Sequence, residues 1–243
     1  MARIELRDAT IYLQDGLSGS AVVNEASANT NDTNLTIATV NLTTTVTDLV
    51  PIGARFTLAN DATIYTVTGR TPANNGPTTE VVFTPGLAAN GNKANTNALT
   101  FLPQRLEIKV GEGNLTYTES KEYEYLLDRG DLDTVREGDA QPLEVSMEFV
   151  YEFVTTGTNE AITPVDALKR IGSANEWVSA SSDLCEPYCV DVVVVHDPPC
   201  GTAQNETTTL PDFRYESLEF NLNDATIAVS GRCNVVGASV ARA

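Results

Sequence analysis

The stretch Leu143–Val154, LEVSMEFVYEFV, alternates with a strict period of two. Leu143, Val145, Met147, Phe149, Tyr151 and Phe153 fall on one face, and Glu144, Ser146, Glu148, Val150, Glu152 and Val154 on the other. That period predicts a long strand with one buried face. The opposite face carries three carboxylates spaced four residues apart. A strand showing a row of like charges to water fits a wall lining an acidic aqueous space better than a catalytic pocket.

The chain has 243 residues, enough for one large or two small domains. Its 42% hydrophobic and 20% charged content is that of a globular protein and excludes global disorder. The net charge of −18, from 33 acidic against 15 basic residues, is far from ordinary. Such a surface repels nucleic acid and anionic membranes. It suits a protein that must let nucleic acid pass without sticking. No apolar run approaches the roughly 20 residues of a membrane helix. RIELRDATIYL, from Arg3, is a charged alternating strand with no signal-peptide core, so a cytosolic protein is expected. The sequons at Asn31, Asn34, Asn41, Asn114 and Asn205 are then chance matches in an Asn/Thr-rich chain.

Composition shifts near Ser18 and again near Phe101. Ser18–Thr100 holds 18 Thr and 12 Asn but only five acidic and three basic residues. Within it LTIATV, ARFTLAN, ATIYTVTG and TEVVFTPGL predict short strands separated by Asn, Gly and Pro turns. This is a small all-β module, 18–100, inserted into a host domain made of 1–17 and 101–243. The loop-like segments LSGS and NGNKANTNA mark its ends.

In the host, RLEIKV alternates, with Leu106, Ile108 and Val110 opposite Arg105, Glu107 and Lys109. The run TYTESKEYEYLLDRGDLDTVREGDAQP is polar, acidic and glycine-punctuated, and predicts a long functional loop. Its Tyr117, Tyr123 and Tyr125 point to docking on a partner subunit. One helix is signalled by Thr163 as N-cap, Pro164 at the first position, an apolar stripe of Val165, Leu168 and Ile171, and a stop at Gly172. VDVVVVH reads as a buried strand, and FRYESLEFNL with ATIAVSG as a hairpin turning at Asn223-Asp224. The fold class expected is mainly β, a sandwich or barrel-like host with one packed helix and a long inter-strand loop, plus the inserted all-β domain.

Chemistry-bearing motifs are few. His196 is the only histidine, and no nucleophile motif accompanies it, so a strand-end structural role is expected. Cys185, Cys189, Cys200 and Cys233 all lie in the last quarter of the chain. Their spacing leaves three readings open: a structural zinc, a disulfide, or buried thiols. The acidic run Asp128, Asp131, Asp133, Glu137, Asp139 lacks calcium-loop spacing. Arg129-Gly130-Asp131 reads as a chance tripeptide. No enzyme is expected, and no cofactor beyond that zinc option.

The order of segments carries a resemblance. RIELRDATIYL, a Thr-rich module, RLEIKVGEGNLTYTESKEYEYLLDRGDLDTVREGDAQPLEVSMEFVYEF, TPVDALKRIG and PDFRYESLEFNLNDATIAVSGRCN together resemble a major tail tube protein of tailed bacteriophages. The resemblance covers Met1–Leu17 and Phe101–Ala243. It implies a virion structural protein, assembled in the host cytoplasm, whose hexameric rings stack into a tail tube. The implied partners are other copies of the chain, the tape measure protein, phage DNA in transit and, in a contractile tail, a sheath, with no membrane. Carried onto this chain, Glu107, Glu144, Glu148 and Glu152 are candidates for lumen-facing charge. An ordinary solvated outer face fits the same four residues. Tyr117, Tyr123, Tyr125, Asp128, Asp131, Asp133 and Glu137 map to a loop reaching the neighbouring ring. The inserted module would project outward. The competing reading is a carbohydrate-binding or adhesive β-protein using the inserted module. Trp177, the only tryptophan, lies outside that module, which weakens sugar stacking there. A third option is a cysteine-ligated metalloenzyme around His196.

Overall fold

The computed structural model describes residues 9–25, 30–42, 48–59, 61–72, 77–88, 97–108, 114–150, 162–183, 185–197 and 205–242. The protein is mainly β, with one short α-helix among the described residues. In chain order, β1 (Ala9–Gln14) precedes six strands that close a barrel: β2 (Gly19–Val23), β3 (Asn34–Leu42), β4 (Arg55–Leu58), β5 (Tyr65–Thr71), β6 (Glu80–Thr84) and β7 (Ala98–Leu102). Then come β8 (Arg105–Ile108), β9 (Leu115–Thr118), β10 (Lys121–Asp128), β11 (Asp131–Ala140) and β12 (Leu143–Val150). Helix α1 (Pro164–Lys169) is followed by β13 (Val190–His196), β14 (Glu206–Asn221), β15 (Thr226–Cys233) and β16 (Ser239–Arg242).

The chain divides into two compact units. One takes in Met1–Leu13, Leu106–Leu168 and Cys189–Ala243; the other Gln14–Arg105 and Lys169–Tyr188. Lys169–Tyr188, which composition groups with the host domain, therefore belongs with the barrel.

In the barrel unit the strand order is β2-β3-β6-β5-β4-β7, closed by β2 pairing with β7. Closure leaves the barrel no open edge. β2 and β7 complete it from segments whose Gly, Ser and Asn content reads as loop. The interior is filled by an aromatic cluster. Phe56 stacks on Tyr65 at 5.3 Å between centroids, and Phe83 meets both edge-on at 5.3 Å. Tyr65 keeps its hydroxyl paired with Asp61 Oδ2 at 2.5 Å. Burial, with the Asp61 carboxylate beside it, raises the phenol above its ordinary value. Lys169–Tyr188 is fastened by buried Asp15, whose carboxylate accepts the N–H of Leu17, Gln104 and Val178. Three donors satisfy a charge that would otherwise be costly to bury.

In the sheet unit the strand order is β8-β1-β13-β14-β15-β12-β9, with β16 also on β14. β12 shows the alternation its sequence requires: Leu143, Val145, Met147 and Phe149 are buried, and Glu144, Ser146 and Glu148 exposed. β15 repeats the pattern in register, with Val229 opposite Met147 and Ile227 opposite Phe149. Gly231 is required there, since a Cβ would lie 2.1 Å from the Arg214 carbonyl oxygen. The β14–β15 turn is held by Asn221 Oδ1, which accepts the N–H of Asn223 and Asp224. Helix α1 starts at the expected cap: Thr163 Oγ1 accepts the Asp166 N–H, and Asp166 Oδ2 accepts the Thr163 N–H. It ends earlier than its apolar stripe predicts. Arg170 already takes a left-handed φ of 54°, and Ile171 is half exposed.

Candidate functional site: an open sheet segment and a projecting arm

Phe213 pairs with Val190 of β13 and with Cys233 of β15, so these strands flank β14 on opposite sides. β13 stops there. Among the described strands, the remainder of β14, Arg214–Asn221, continues past the start of β13 and pairs with β15. At the other end, β9 pairs with β12 and with no further described strand. The segment β14-β15-β12-β9 is thus four antiparallel strands with one polar face and one apolar face that is buried along β12 and β15.

The polar face carries Glu144 and Glu148, two of the sequence-predicted acidic residues. Glu107 is exposed on β8, five strands away in the sheet order, so it does not join them. Glu152 lies outside the described residues. Sequence reasoning missed Arg232, whose Nη2 lies 3.2 Å from Glu144 Oε1 and whose Nη1 lies 3.5 Å from Glu216 Oε1. The alternation in ATIAVSGRC places Arg232 on the polar face, but its partners depend on register, which only pairing reveals. A groove of about 280 Å³ opens around this ion pair.

The run predicted as a long loop is a β-hairpin. β10 and β11 pair from Lys121–Ala140 to Asp128–Asp131. Arg129 and Gly130, both at positive φ (51° and 93°), form the two-residue turn. Two positive φ values in succession match the twist of a hairpin, which accounts for the Arg-Gly-Asp tripeptide. The ladder nearly continues that of β9 and β12, where Glu144 is opposite Thr118. β9–β10 and β11–β12 therefore make one long ribbon, interrupted at Gln141-Pro142, whose outer part is a separate two-stranded sheet. Eight residues of strand reach about 26 Å. Tyr123, Tyr125 and Asp128 lie on β10 of this arm, Asp131, Asp133 and Glu137 on β11, and Tyr117 on β9 in the main sheet. One arm face gathers Tyr123, Tyr125 and Leu127 with Val135 and Leu132 in register. All five are exposed, Leu132 by 72%. Alternating acidic residues hide this stripe in the sequence, because the alternation resembles a polar loop until the strands pair.

The three described cysteines are separate thiols. Cys185 is exposed, Cys189 and Cys233 are buried, and all three are free thiols. Cys200 lies outside the described residues. Cys189 precedes β13 and Cys233 ends β15, with β14 between them. Two strand spacings of about 4.8 Å put their backbones beyond disulfide reach. Cys189 Sγ donates to Asp212 Oδ1 at 3.4 Å, and Asp212 N–H to Asp191 Oδ1 at 3.0 Å. Burial, then the charges of Asp191 and Asp212, pushes the Cys233 thiol up to about 12, with Arg214 opposing. A thiol held protonated in this way is a poor nucleophile and a poor metal ligand. Among the described residues no three of His, Cys, Asp and Glu gather to hold a metal ion. His196 is buried at the end of β13, opposite Glu206 in register.

Comparison with protein families, with curated proteins and with solved structures finds no match.

Proposed function

We propose that this chain is the protomer of a self-assembling ring whose stacked copies form a tube, a structural protein of the kind its segments resemble in the tails of bacteriophages. One observation carries the reading: the four-stranded antiparallel segment whose outer strands, β14 beyond Phe213 and β9, lie at the two sides of the described sheet. An open edge is a template for pairing with another chain. The strand directions in β14-β15-β12-β9 alternate, and their number is even. A second copy placing its β14 edge against β9 therefore continues the antiparallel order across the junction. Such a contact is head-to-tail, and repeated rotation closes it into a ring. Six copies would supply 24 strands, with a backbone ring roughly 37 Å across at about 4.8 Å per strand, before tilt widens it. With the buried face covered by its own protomer, the polar face with Glu144 and Glu148 lines the bore. The net charge of −18 keeps a polyanion such as DNA from adhering. The arm, with an apolar stripe that a lone hairpin cannot bury, docks on the adjacent ring. A tape measure protein and DNA in transit would occupy the bore.

Negative-stain microscopy of the purified protein tests this, and rings or tubes with a central hole are expected. Tyr117→Pro sharpens it. Glu148 N donates to Asn114 O at 2.8 Å. Alternation along β9 then turns the N–H groups of Leu115 and Tyr117 toward the open side. Proline at 117 removes one of these while sparing the ladder to β12, so a folded but monomeric variant is expected. A wild-type protein that stays monomeric at all concentrations ends the proposal.

A further inference from the structure

The polar face of the β14-β15-β12-β9 segment is banded rather than uniformly acidic. In one row Glu144, Arg232 and Arg214 stand side by side in register. Two residues along, Ser146, Ser230 and Ser217 form a hydroxyl row, and beyond it Glu148, Ala228 and Glu219 an acidic one. Like charges directly opposite on neighbouring strands repel, so Arg232, opposite Arg214, needs compensation. Glu144 and Glu216 supply it from the two sides, each engaging a different terminal nitrogen of Arg232. The Arg232 side chain remains 51% exposed. Around it the groove is walled by Thr116, Thr118, Ser146 and Ser230. An arginine fork in a hydroxyl-lined groove is the chemistry that recognises phosphate. Here both prongs are occupied by carboxylates.

We propose that Glu144 and Glu216 mask Arg232, so that this groove meets a nucleic-acid phosphate backbone as a neutralised surface instead of a binding site. The inference rests on reading this face as the wall of a conduit. It resolves a conflict between two demands. Arg232 links β12, β15 and β14 through charge pairs across the strands. Repeated around a ring, bare arginines would hold a polyanion by direct phosphate contacts. Carboxylates on both prongs keep the tie and remove the grip. The acidic band at Glu148 and Glu219 then repels, and the hydroxyl band between them carries water.

The test pairs Glu144→Gln/Glu216→Gln with the wild type, using a fluorescein-labelled DNA duplex, anisotropy over a salt series, and micrographs of the same samples. Glutamine keeps the side-chain shape, and both sites are exposed. Wild type should not bind. The double variant should bind, with affinity falling roughly fortyfold between 50 and 200 mM salt if three phosphates are contacted. Adding Arg232→Gln should abolish that binding, and each single glutamine variant should fall in between. Rings of normal appearance with no gain in DNA binding overturn the masking, as does binding that survives Arg232→Gln. Binding gained by a protein that forms no ring supports the masking and removes the conduit.

Discussion

Arg70 and Glu176 lie 106 residues apart and meet in a two-pronged ion pair, with Nη1–Oε2 at 2.5 Å and Nη2–Oε1 at 2.9 Å. Nη1 also donates to the Val50 carbonyl, and Glu176 accepts the Ile52 N–H. The Arg70 side chain is only 6% exposed, so its charge depends on this partner. Burial raises the Glu176 carboxyl, but the Arg70 hydrogen bonds, the Ile52 N–H and the Arg70 charge outweigh it and hold the group below its ordinary value. Glu176→Ala should therefore destabilise the barrel unit by roughly 2–4 kcal/mol, somewhat less than a fully buried pair because the carboxylate is partly exposed. The wild-type contribution is present above the ordinary carboxylate pKa and lost as pH falls through the lowered one. Urea unfolding of both proteins between pH 3 and 7 checks it, and a variant deficit that narrows toward acid is expected.

Trp177 makes the barrel unit directly observable. It is the only tryptophan and is 1% exposed, beside buried Val178 in the Lys169–Tyr188 segment. Deleting Ser18–Thr100 removes Arg70, and with it the partner of Glu176. The segment then loses the unit in which it packs. The deletion should shift tryptophan emission to the red, toward that of an unfolded chain. Removing Lys169–Tyr188 as well should eliminate the exposed apolar surface. Emission unchanged by the first deletion would mean that the segment does not depend on the barrel.

How far the sequence reveals this fold depends on the range of the forces involved. Period-two alternation is local, so β12, β13 and the β14–β15 hairpin follow directly from Leu143–Val150, VDVVVVH and FRYESLEFNL. The helix cap at Thr163 is equally local. Register and long-range pairing are not. Arg232 meeting Glu144 and Glu216, β14 running on past the start of β13, and Glu176 meeting Arg70 all depend on distant positions, and no composition signal marks them. The arm reads as a loop in the sequence because Gly130 and the dense acidic residues outweigh a stripe of five apolar residues that pairing alone assembles. Of the four acidic candidates, Glu144 and Glu148 share a face because they share a strand. Glu107 does not join them, because strand order rather than composition decides its place.

Asp191 offers a pH-dependent test of the sheet unit. Burial, opposed by the Asp212 N–H and reinforced by the Asp212 charge, raises its carboxyl from 3.8 to about 6. A carboxyl raised on folding favours the protonated native state. Its contribution is thus most favourable below about pH 4 and is lost as pH rises through about 6. Asp191→Asn keeps an oxygen to accept the Asp212 N–H and removes the charge. The variant should be more stable than wild type at pH 8, by up to about 2–3 kcal/mol. The gap should close toward pH 4. A difference between the two proteins that does not vary with pH would contradict the buried-charge account.

Under the proposed assembly, the projecting arm would separate ring closure from ring stacking. The edges proposed to close the ring are β9 and Arg214–Asn221, whereas Tyr123, Tyr125, Leu127, Leu132 and Val135 lie on a separate two-stranded sheet. Replacing Leu127 and Leu132, which face each other in register and are 63% and 72% exposed, with aspartate should leave the protomer fold unchanged. Both side chains already meet solvent in the isolated chain, so the cost to the monomer should be confined to repulsion between the two facing carboxylates, about 0.2–1 kcal/mol. In an assembled tube the same charges would have to be buried against the next ring, at a cost of several kcal/mol each. Electron microscopy of the variant should show single or short stacks of rings where wild type gives long tubes, with matching melting curves for the two dissociated proteins. Long tubes from the aspartate variant would place the apolar stripe outside the contact between rings, and loss of the rings themselves would assign the arm to lateral closure instead.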